Sequence, residues 1–115
     1  MIDKIIINIG IDHTFKSDSD IIGRSGEGYT SQLEIAIPES LRNWDVYLDF
    51  EKPNGVKFRT PKLRVEKGVT IYDIVPYLLT HSGEIKAQVV LKNANGSVWK
   101  SFVKEFYNQY SIIIE

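Results

Sequence analysis

The side chains best suited to acid–base or metal chemistry in this 115-residue chain are its two histidines, His13 and His81. Together with a carboxylate they could complete a three-ligand zinc site. His13 follows the first apolar run, His81 lies beside a Ser-Gly turn, and neither is surrounded by a motif of zinc-ligand spacing. The absence of cysteine excludes disulfides and thiolate metal ligands. We interpret the histidines as two unrelated loop residues and expect no metal site.

Calcium binding is a second possible chemistry, because the segment after the first apolar run is acidic. Asp18 and Asp20 are spaced like the first ligands of a calcium loop, but the third ligand position holds Ile22. Loops of a β-sandwich can still hold calcium, and Asp12 and Glu27 would then be further ligands. A solvated acidic loop explains the same residues, and it is the interpretation we adopt.

Catalysis needs a nucleophile with a base, paired carboxylates in a pocket or a metal cluster. The glycine-rich run at residues 23–28 has neither the spacing of a phosphate-binding loop nor that of a dinucleotide fingerprint. Ser25, inside this run, lacks the second flanking glycine, in the correct register, of a nucleophile elbow. We therefore predict a protein that is not an enzyme, with no catalytic residue and no cofactor; a small hydrolase with a loop-borne site is the weakest of the alternatives.

Aromatic side chains are the better candidates for binding. Tyr47 and Tyr72 are predicted on strand faces opposite the main apolar set, and the face of Trp99 is ambiguous. Exposed aromatic rings stack on sugars or anchor protein interfaces, whereas burial at the ends of a sandwich would explain them without any ligand. Tyr47, Tyr72 and Trp99 are the candidate interface residues.

The charge balance, 14 Lys and Arg against 15 Asp and Glu, lacks the basic excess of a protein that binds phosphate backbones. The densest basic stretch, residues 57–64, is interpreted as the wet face of strands. The N-terminus lacks the basic segment and cleavage site of a signal peptide. No window has the roughly 18 apolar residues needed to cross a bilayer. We expect neither a nucleic-acid nor a membrane partner, and no secretion signal.

Alternation of apolar and polar residues with a period of two predicts β-strands along most of the chain. In the first strand Ile5, Ile7, Ile9 and Ile11 share one face. Further strands are predicted at 33–37, 44–50, 56–58, 62–66, 84–92, 98–106 and 110–114, the last containing Tyr110, Ile112 and Ile114.

Turn chemistry separates these strands. Asn-Gly pairs at residues 54–55 and 95–96 predict two β-hairpins, because Asn-Gly tolerates the positive φ of tight turns. Residues 15–29 are polar and glycine-rich and are predicted to be a long surface loop. Pro76 limits helix to one turn around Tyr77 to Leu79. We predict an all-β, two-sheet antiparallel sandwich of immunoglobulin-like or jelly-roll type, with seven or eight strands in one domain spanning residues 1–115.

The order of features from Trp44 onward resembles that of a phage protein family. Tyr47-Leu-Asp-Phe50 leads into a Lys-Pro-Asn-Gly turn, and a strand follows that ends in proline, Ile71-Tyr-Asp-Ile-Val-Pro76. Ser82-Gly-Glu-Ile-Lys-Ala-Gln-Val89 comes next, then an Asn-Gly turn and a strand ending in Lys-Ser-Phe. This pattern is similar to that of the N-terminal domain of the upper baseplate proteins of siphophages that infect Gram-positive bacteria.

The resemblance implies a β-sandwich attachment domain, without catalytic activity, that docks on the central tail hub and holds a receptor-binding apparatus. Longer members of the family continue into a stalk, whereas this chain stops at Glu115, and residues 15–29 have no counterpart. We expect a structural module of a phage or prophage tail or baseplate, made in the bacterial cytoplasm and located in the virion. Its expected partners are other tail proteins and further copies of itself. The alternative is a carbohydrate-binding or adhesin-type module that binds a saccharide through the candidate aromatic residues.

Overall fold

The computed structural model describes residues 2–112, whose regular structure is almost entirely β-strand. The strands are β1 (Asp3–Ile9), β2 (Phe15–Ser17), β3 (Ile21–Arg24), β4 (Ser31–Ala36), β5 (Asp45–Glu51), β6 (Lys57–Arg59), β7 (Val65–Glu66), β8 (Val69–Asp73), β9 (Gly83–Lys92), β10 (Val98–Lys100) and β11 (Lys104–Gln109). Two short 3-10 helices lie at Glu39–Leu41 and Pro76–Leu79. Within the described residues, no helix is long and apolar enough to cross a membrane.

The strands form two packed sheets, which confirms the predicted all-β sandwich. The five-stranded sheet has the order β2-β1-β4-β8-β7, and the six-stranded sheet has the order β3-β11-β9-β5-β6, with β10 also paired to β9. The residues described contain eleven strands, more than the seven or eight predicted, because several edge strands are only two to four residues long. Such short edges carry too few residues to produce a visible alternation.

Two strand pairs are parallel, so the sheets are mixed where purely antiparallel sheets were predicted. β1 pairs in parallel with β4, and β3 pairs in parallel with β11. After β2 the chain crosses to the six-stranded sheet to form β3 and then returns to the first sheet as β4. Parallel neighbours cannot be joined by a tight turn. Turn signals in the sequence therefore do not reveal these pairings.

The core lies between the inner faces of the two sheets. Ile7, Leu33 and Ile35 of the five-stranded sheet and Leu48 and Val89 of the six-stranded sheet are all fully buried. Full burial of such a side chain contributes roughly 1.5–3 kcal/mol. The faces predicted from the alternation in β4, β5 and β9 are the faces that the structure buries.

Both predicted hairpins are present and confirm the interpretation of the Asn-Gly pairs. β5 and β6 are joined through Gly55, and β9 and β10 are joined through Gly96. Each of these glycines has a φ of +84°, a conformation in which a Cβ is unfavourable. The turn residues thus set the register of two of the five strand pairings in the six-stranded sheet, β5–β6 and β9–β10.

The segment 15–29, predicted to be a surface loop, instead contains β2 and β3. Ile22 of β3 is fully buried, and Phe15 of β2 packs edge-on against Phe106 with 6.0 Å between the ring centres. The glycine and the many polar residues of this segment give no alternating pattern that would predict strands. The two strands form by pairing with β1 and β11. Ile11, predicted to continue the first strand, lies exposed in the turn after β1.

Other boundaries also differ near the C-terminus. The predicted strand at 98–106 is two strands, β10 and β11, separated by a crossover at residues 101–103. Tyr110 and Ile112, predicted in a last strand, lie outside regular structure and are exposed, and Ile114 is outside the described residues. The single helical turn predicted after Pro76 is confirmed, and the turn at Glu39–Leu41 was not predicted.

Candidate functional site

An aromatic cluster lies where the turn after β1 meets the crossover between β10 and β11. The rings of His13 and Trp99 stack with 4.7 Å between their centres and 13° between their planes. Phe102 adds a third ring, 6.1 Å from His13. We call His13, Trp99 and Phe102 the aromatic corner. It joins the five-stranded sheet, which supplies His13, to the six-stranded sheet, which supplies Trp99 and Phe102.

Hydrogen bonds hold the histidine side of the corner in place. The His13 Nδ1 atom lies 2.6 Å from the Lys100 carbonyl oxygen, which can only accept, so Nδ1 carries the proton of this bond. The Phe102 N–H donates to the His13 carbonyl at 2.7 Å. His13 has a φ of 73°, an uncommon value for a residue with a side chain. The turn is thus fixed to the opposite sheet by its backbone as well as its ring.

Asp12 closes the same turn from the other side. Its carboxylate accepts a hydrogen bond from the Thr14 hydroxyl at 2.7 Å and one from the Thr14 N–H at 3.3 Å. These bonds stabilise the charged form, and they lower the pKa of Asp12 below the usual range of an aspartate. Asp12 therefore acts as a turn-forming residue.

The outer side of the corner exposes apolar surface. Phe102 is 62% exposed and the neighbouring Val103 is 53% exposed. Because Trp99 packs against the core and His13 is hydrogen-bonded on two sides, the exposed Phe102 ring stands on a fixed base. An exposed aromatic side chain on a rigid base is the usual form of an anchor in a protein interface.

The three candidate interface residues do not form one surface. Trp99 belongs to the aromatic corner, and Tyr47 lies on the outer face of the six-stranded sheet. The Tyr47 ring has the Arg59 guanidinium 5.9 Å and the Lys92 ammonium 5.5 Å from its centre. A sugar ring that stacked on Tyr47 would compete with both cations.

Tyr72 is buried, contrary to the prediction of an exposed face. In β8, Thr70 and Tyr72 face the core and Ile71 faces solvent. The apolar side chain of Ile71 suggests the reverse orientation of the strand. The Tyr72 ring lies 5.8 Å from the Phe50 ring and is only 9% exposed. Burial raises the pKa of Tyr72 to about 12.

The acidic residues considered as calcium ligands each have another role. Asp18 accepts a hydrogen bond from the Ile6 N–H at 2.9 Å, and Asp20 forms an ion pair with Lys104 at 2.5 Å. Glu27 accepts a hydrogen bond from the backbone N–H of residue 24 at 2.9 Å. Within residues 2–112 no group of three histidine or carboxylate side chains is arranged to hold a metal ion.

His81, the second histidine considered as a metal ligand, also has structural contacts. Its ring nitrogen Nδ1 is 3.1 Å from the Thr80 hydroxyl, and its carbonyl oxygen accepts a hydrogen bond from the Asn108 side chain at 2.8 Å. Asn108 is fully buried in β11. His81 therefore has a structural contact with the six-stranded sheet, through its backbone.

A cleft of about 560 Å³ lies on the outer face of the six-stranded sheet, beside the aromatic corner. We call it the basic cleft, because its charged lining consists of four cations and two carboxylates: Lys57, Arg59, Lys86, Lys100, Asp49 and Glu51. Lys57 and Arg59 belong to the basic stretch at residues 57–64, which is predicted to form the solvated face of strands. The basic stretch is visible in the sequence, but only strand pairing brings it together with Lys86 and Lys100 in one cleft.

No protein-family model matches the chain, and no curated protein sequence matches it. The fold does have a solved counterpart, the N-terminal domain of ORF48 of phage TP901-1. The two superimpose with a TM-score of 0.55 at 10% sequence identity, and the match covers 96% of this chain and 98% of the other. The likeness therefore extends over nearly the whole of both chains. The likeness holds at the level of the fold: this chain has the β-sandwich fold of the N-terminal domain of ORF48 of phage TP901-1.

Proposed function

We propose that the chain is a structural module of a phage or prophage tail or baseplate, without catalytic activity, that docks on other tail proteins and on further copies of itself. The observation that carries the proposal is the fold, which matches a phage domain over nearly the whole length of both chains. Folds host many functions, so the docking surface has to be argued from the residues themselves.

The aromatic corner is the docking surface that we assign. Phe102 and Val103 present apolar side chains to solvent at a place where the backbone is hydrogen-bonded to the opposite sheet. A fixed apolar anchor loses little conformational freedom on binding, which favours protein–protein contact. Lys100, between Trp99 and Phe102 in the sequence, adds a charge at the rim of the corner, as is typical of interfaces with an apolar centre.

The absence of catalysis is part of the proposal. His13 stacks on Trp99 and donates to a carbonyl, so its proton is committed to a structural bond. The acidic side chains near it close turns or cap strand edges. Both arrangements suit a rigid scaffold.

Tail location is tested with antibodies against the purified chain, applied to particles from the phage or prophage that encodes it. We expect immunogold label at the tail tip in electron micrographs. Docking is tested by pull-down with the tail-hub protein of the same phage and by light scattering for self-association. Label-free tails together with a strict monomer that captures no hub protein would overturn the proposal.

Two variants test whether the aromatic corner is the docking surface. Phe102→Asp places a charge at the corner and should weaken hub binding or self-association at least about tenfold. Ile71→Asp is the matched control, because Ile71 is similarly exposed but lies on the outer face of the five-stranded sheet. Equal losses in the two variants would contradict the assignment. Saccharide binding that is lost on Trp99→Ala, with hub binding absent, would favour the carbohydrate-binding alternative.

A further inference from the structure

The basic cleft contains more cations than its own carboxylates can pair with. Asp49 binds Arg59 with two hydrogen bonds, from Nε at 2.6 Å and from Nη2 at 2.8 Å. Glu51 forms an ion pair with Lys86 at 3.6 Å. Each carboxylate of the cleft is thus neutralised by one cation of the same sheet face.

Two lysines remain after these pairings. Lys57 and Lys100 both line the cleft, and within residues 2–112 neither forms an ion pair, although Lys57 lies directly opposite Glu51 in the β5–β6 register. Both side chains are exposed, and both lie on short strands whose backbone is fixed by pairing. The Lys100 backbone is held further by the bond from His13. The cleft therefore presents an excess of positive charge from two fixed strands.

An acidic pair lies beside the cleft, in a neighbouring depression lined by β9 and β11. Glu84 of β9 and Glu105 of β11 are close neighbours on the two paired strands, and the proximity of Glu105 raises the pKa of Glu84. A proton is held more tightly there because two carboxylates stand side by side. This pair repels an anionic ligand from the part of the cleft next to β11, whereas Lys57 on β6 and Lys100 on β10 lie on opposite sides of β5 and β9.

We propose that the basic cleft binds an acidic segment of a partner protein, with Lys57 and Lys100 receiving its carboxylates. This inference rests on the docking function proposed above and adds the chemistry of one partner surface. The cleft adjoins the aromatic corner through Lys100 and Val103, so one partner can place an apolar residue on Phe102 and carboxylates in the cleft. Charged contacts beside an apolar anchor chiefly supply specificity and speed of association.

The geometry favours a protein carboxylate over a phosphate or a sugar. Arg59 already uses Nε and Nη2 on Asp49, so it cannot offer that fork to a phosphate. Tyr47, an aromatic residue of this face, is flanked by Arg59 and Lys92, which compete with a stacking sugar. Two separated ammonium groups, each able to donate in several directions, suit carboxylates spaced along a peptide.

The test uses the full chain labelled with ¹⁵N and a synthetic peptide of alternating glutamate and glycine at low salt. We expect amide shifts at Lys57, Lys100 and Val103, which weaken when salt is added. The corresponding peptide of glutamine and glycine should cause none. The double variant Lys57→Glu/Lys100→Glu should bind the acidic peptide about tenfold more weakly or worse.

The matched control is Lys16→Glu/Lys67→Glu, which makes the same change of net charge on the five-stranded sheet. It should retain the amide shifts at the cleft. Thermal unfolding of both double variants verifies that each is folded. Shifts that are absent from the cleft, or equal losses in the two double variants, would overturn the inference. Tighter binding of inorganic phosphate or polygalacturonate than of the acidic peptide would overturn it as well.

The hub pull-down separates this inference from the proposed function. Loss of hub binding in Lys57→Glu/Lys100→Glu, but not in the control, supports the cleft as a docking element. If hub binding survives in Lys57→Glu/Lys100→Glu, the inference about the cleft is overturned and the proposed docking function stands. Peptide binding at the cleft by a chain that captures no tail protein supports the cleft and overturns only the proposed function.

Discussion

The ammonium group of Lys52 lies 3.7 Å from the centre of the Tyr77 ring. Lys52 follows β5 of the six-stranded sheet, and Tyr77 lies in the 3-10 helix Pro76–Leu79 that comes after β8 of the five-stranded sheet. The lysine is only 4% exposed and, within the described part of the chain, it forms no salt bridge. The Tyr77 ring is thus a direct partner of the Lys52 ammonium, and the contact ties the two sheets together at one end.

Replacing Tyr77 by leucine should destabilise the protein by about 1 kcal/mol, because the cation loses its aromatic partner while an apolar side chain remains. Lys52→Met removes the charge instead. In a double-mutant cycle measured by urea denaturation, we expect a coupling energy of ~0.5–2 kcal/mol between the two positions. A coupling energy near zero would show that the contact does not stabilise the fold.

Substitutions at His13 should separate the ring stack from the backbone conformation. His13→Asn removes the stack on Trp99 and the bond to Lys100, and it should lower the free energy of unfolding by about 1–2 kcal/mol. His13→Ala should lower it by roughly 1 kcal/mol more, because asparagine tolerates the positive φ at this position better than alanine. Urea denaturation measures both, and equal stability of the two variants would argue against strain at this turn.

Alkaline pH should destabilise the fold through Tyr72. Its pKa is about 12 in the folded chain and 10.0 when unperturbed. Between these values the unfolded chain gives up the proton and the folded chain keeps it, so the free energy of unfolding falls as pH rises. The full effect is about 2 kcal/mol.

The control for this pH effect is a tyrosine that is well exposed. Tyr72→Phe should reduce the fall in stability above pH ~10, whereas Tyr110→Phe should leave it unchanged. Denaturant unfolding at a series of alkaline pH values provides the measurement. Identical pH dependence in the wild type and Tyr72→Phe would contradict the assignment.

Asp18 should stabilise the strand edge without any metal. Asp18→Ala removes the acceptor for the Ile6 N–H and should destabilise the protein by about 1 kcal/mol, by the same amount with calcium and with a chelator. Asp18→Asn keeps a side-chain oxygen at this position and should lose less. A melting temperature of the wild type that rises on addition of calcium, and does not rise in Asp18→Ala, would instead indicate a calcium site.

Local patterns predicted the parts of the fold that depend on neighbouring residues. Alternation placed Leu33, Leu48 and Val89 on buried faces, because successive side chains of a strand point to opposite sides. The Asn-Gly pairs predicted both hairpins, because few other residues adopt a positive φ at low energy. The same reasoning failed at Ile22, whose strand is four residues long and is held by a partner distant in sequence.

The candidate site was only partly accessible to such reasoning. The sequence predicts Trp99 as a candidate interface residue and places its stacking partner His13 in an unrelated loop, because the two positions meet only between the two sheets. Tyr72 was placed outside although it is buried, since a short strand with apolar residues on both faces does not define its own orientation.

By itself, the amino-acid sequence determined that this chain forms strands, where the hairpins turn and which side of most strands is dry, since those properties arise within a few residues. Only the tertiary structure decided the parallel pairs, the stack of His13 on Trp99 and the convergence of Lys57 and Lys100 on one cleft. These depend on which strands become neighbours, and that choice is made by the packing of the two sheets as a whole, among residues distant along the chain.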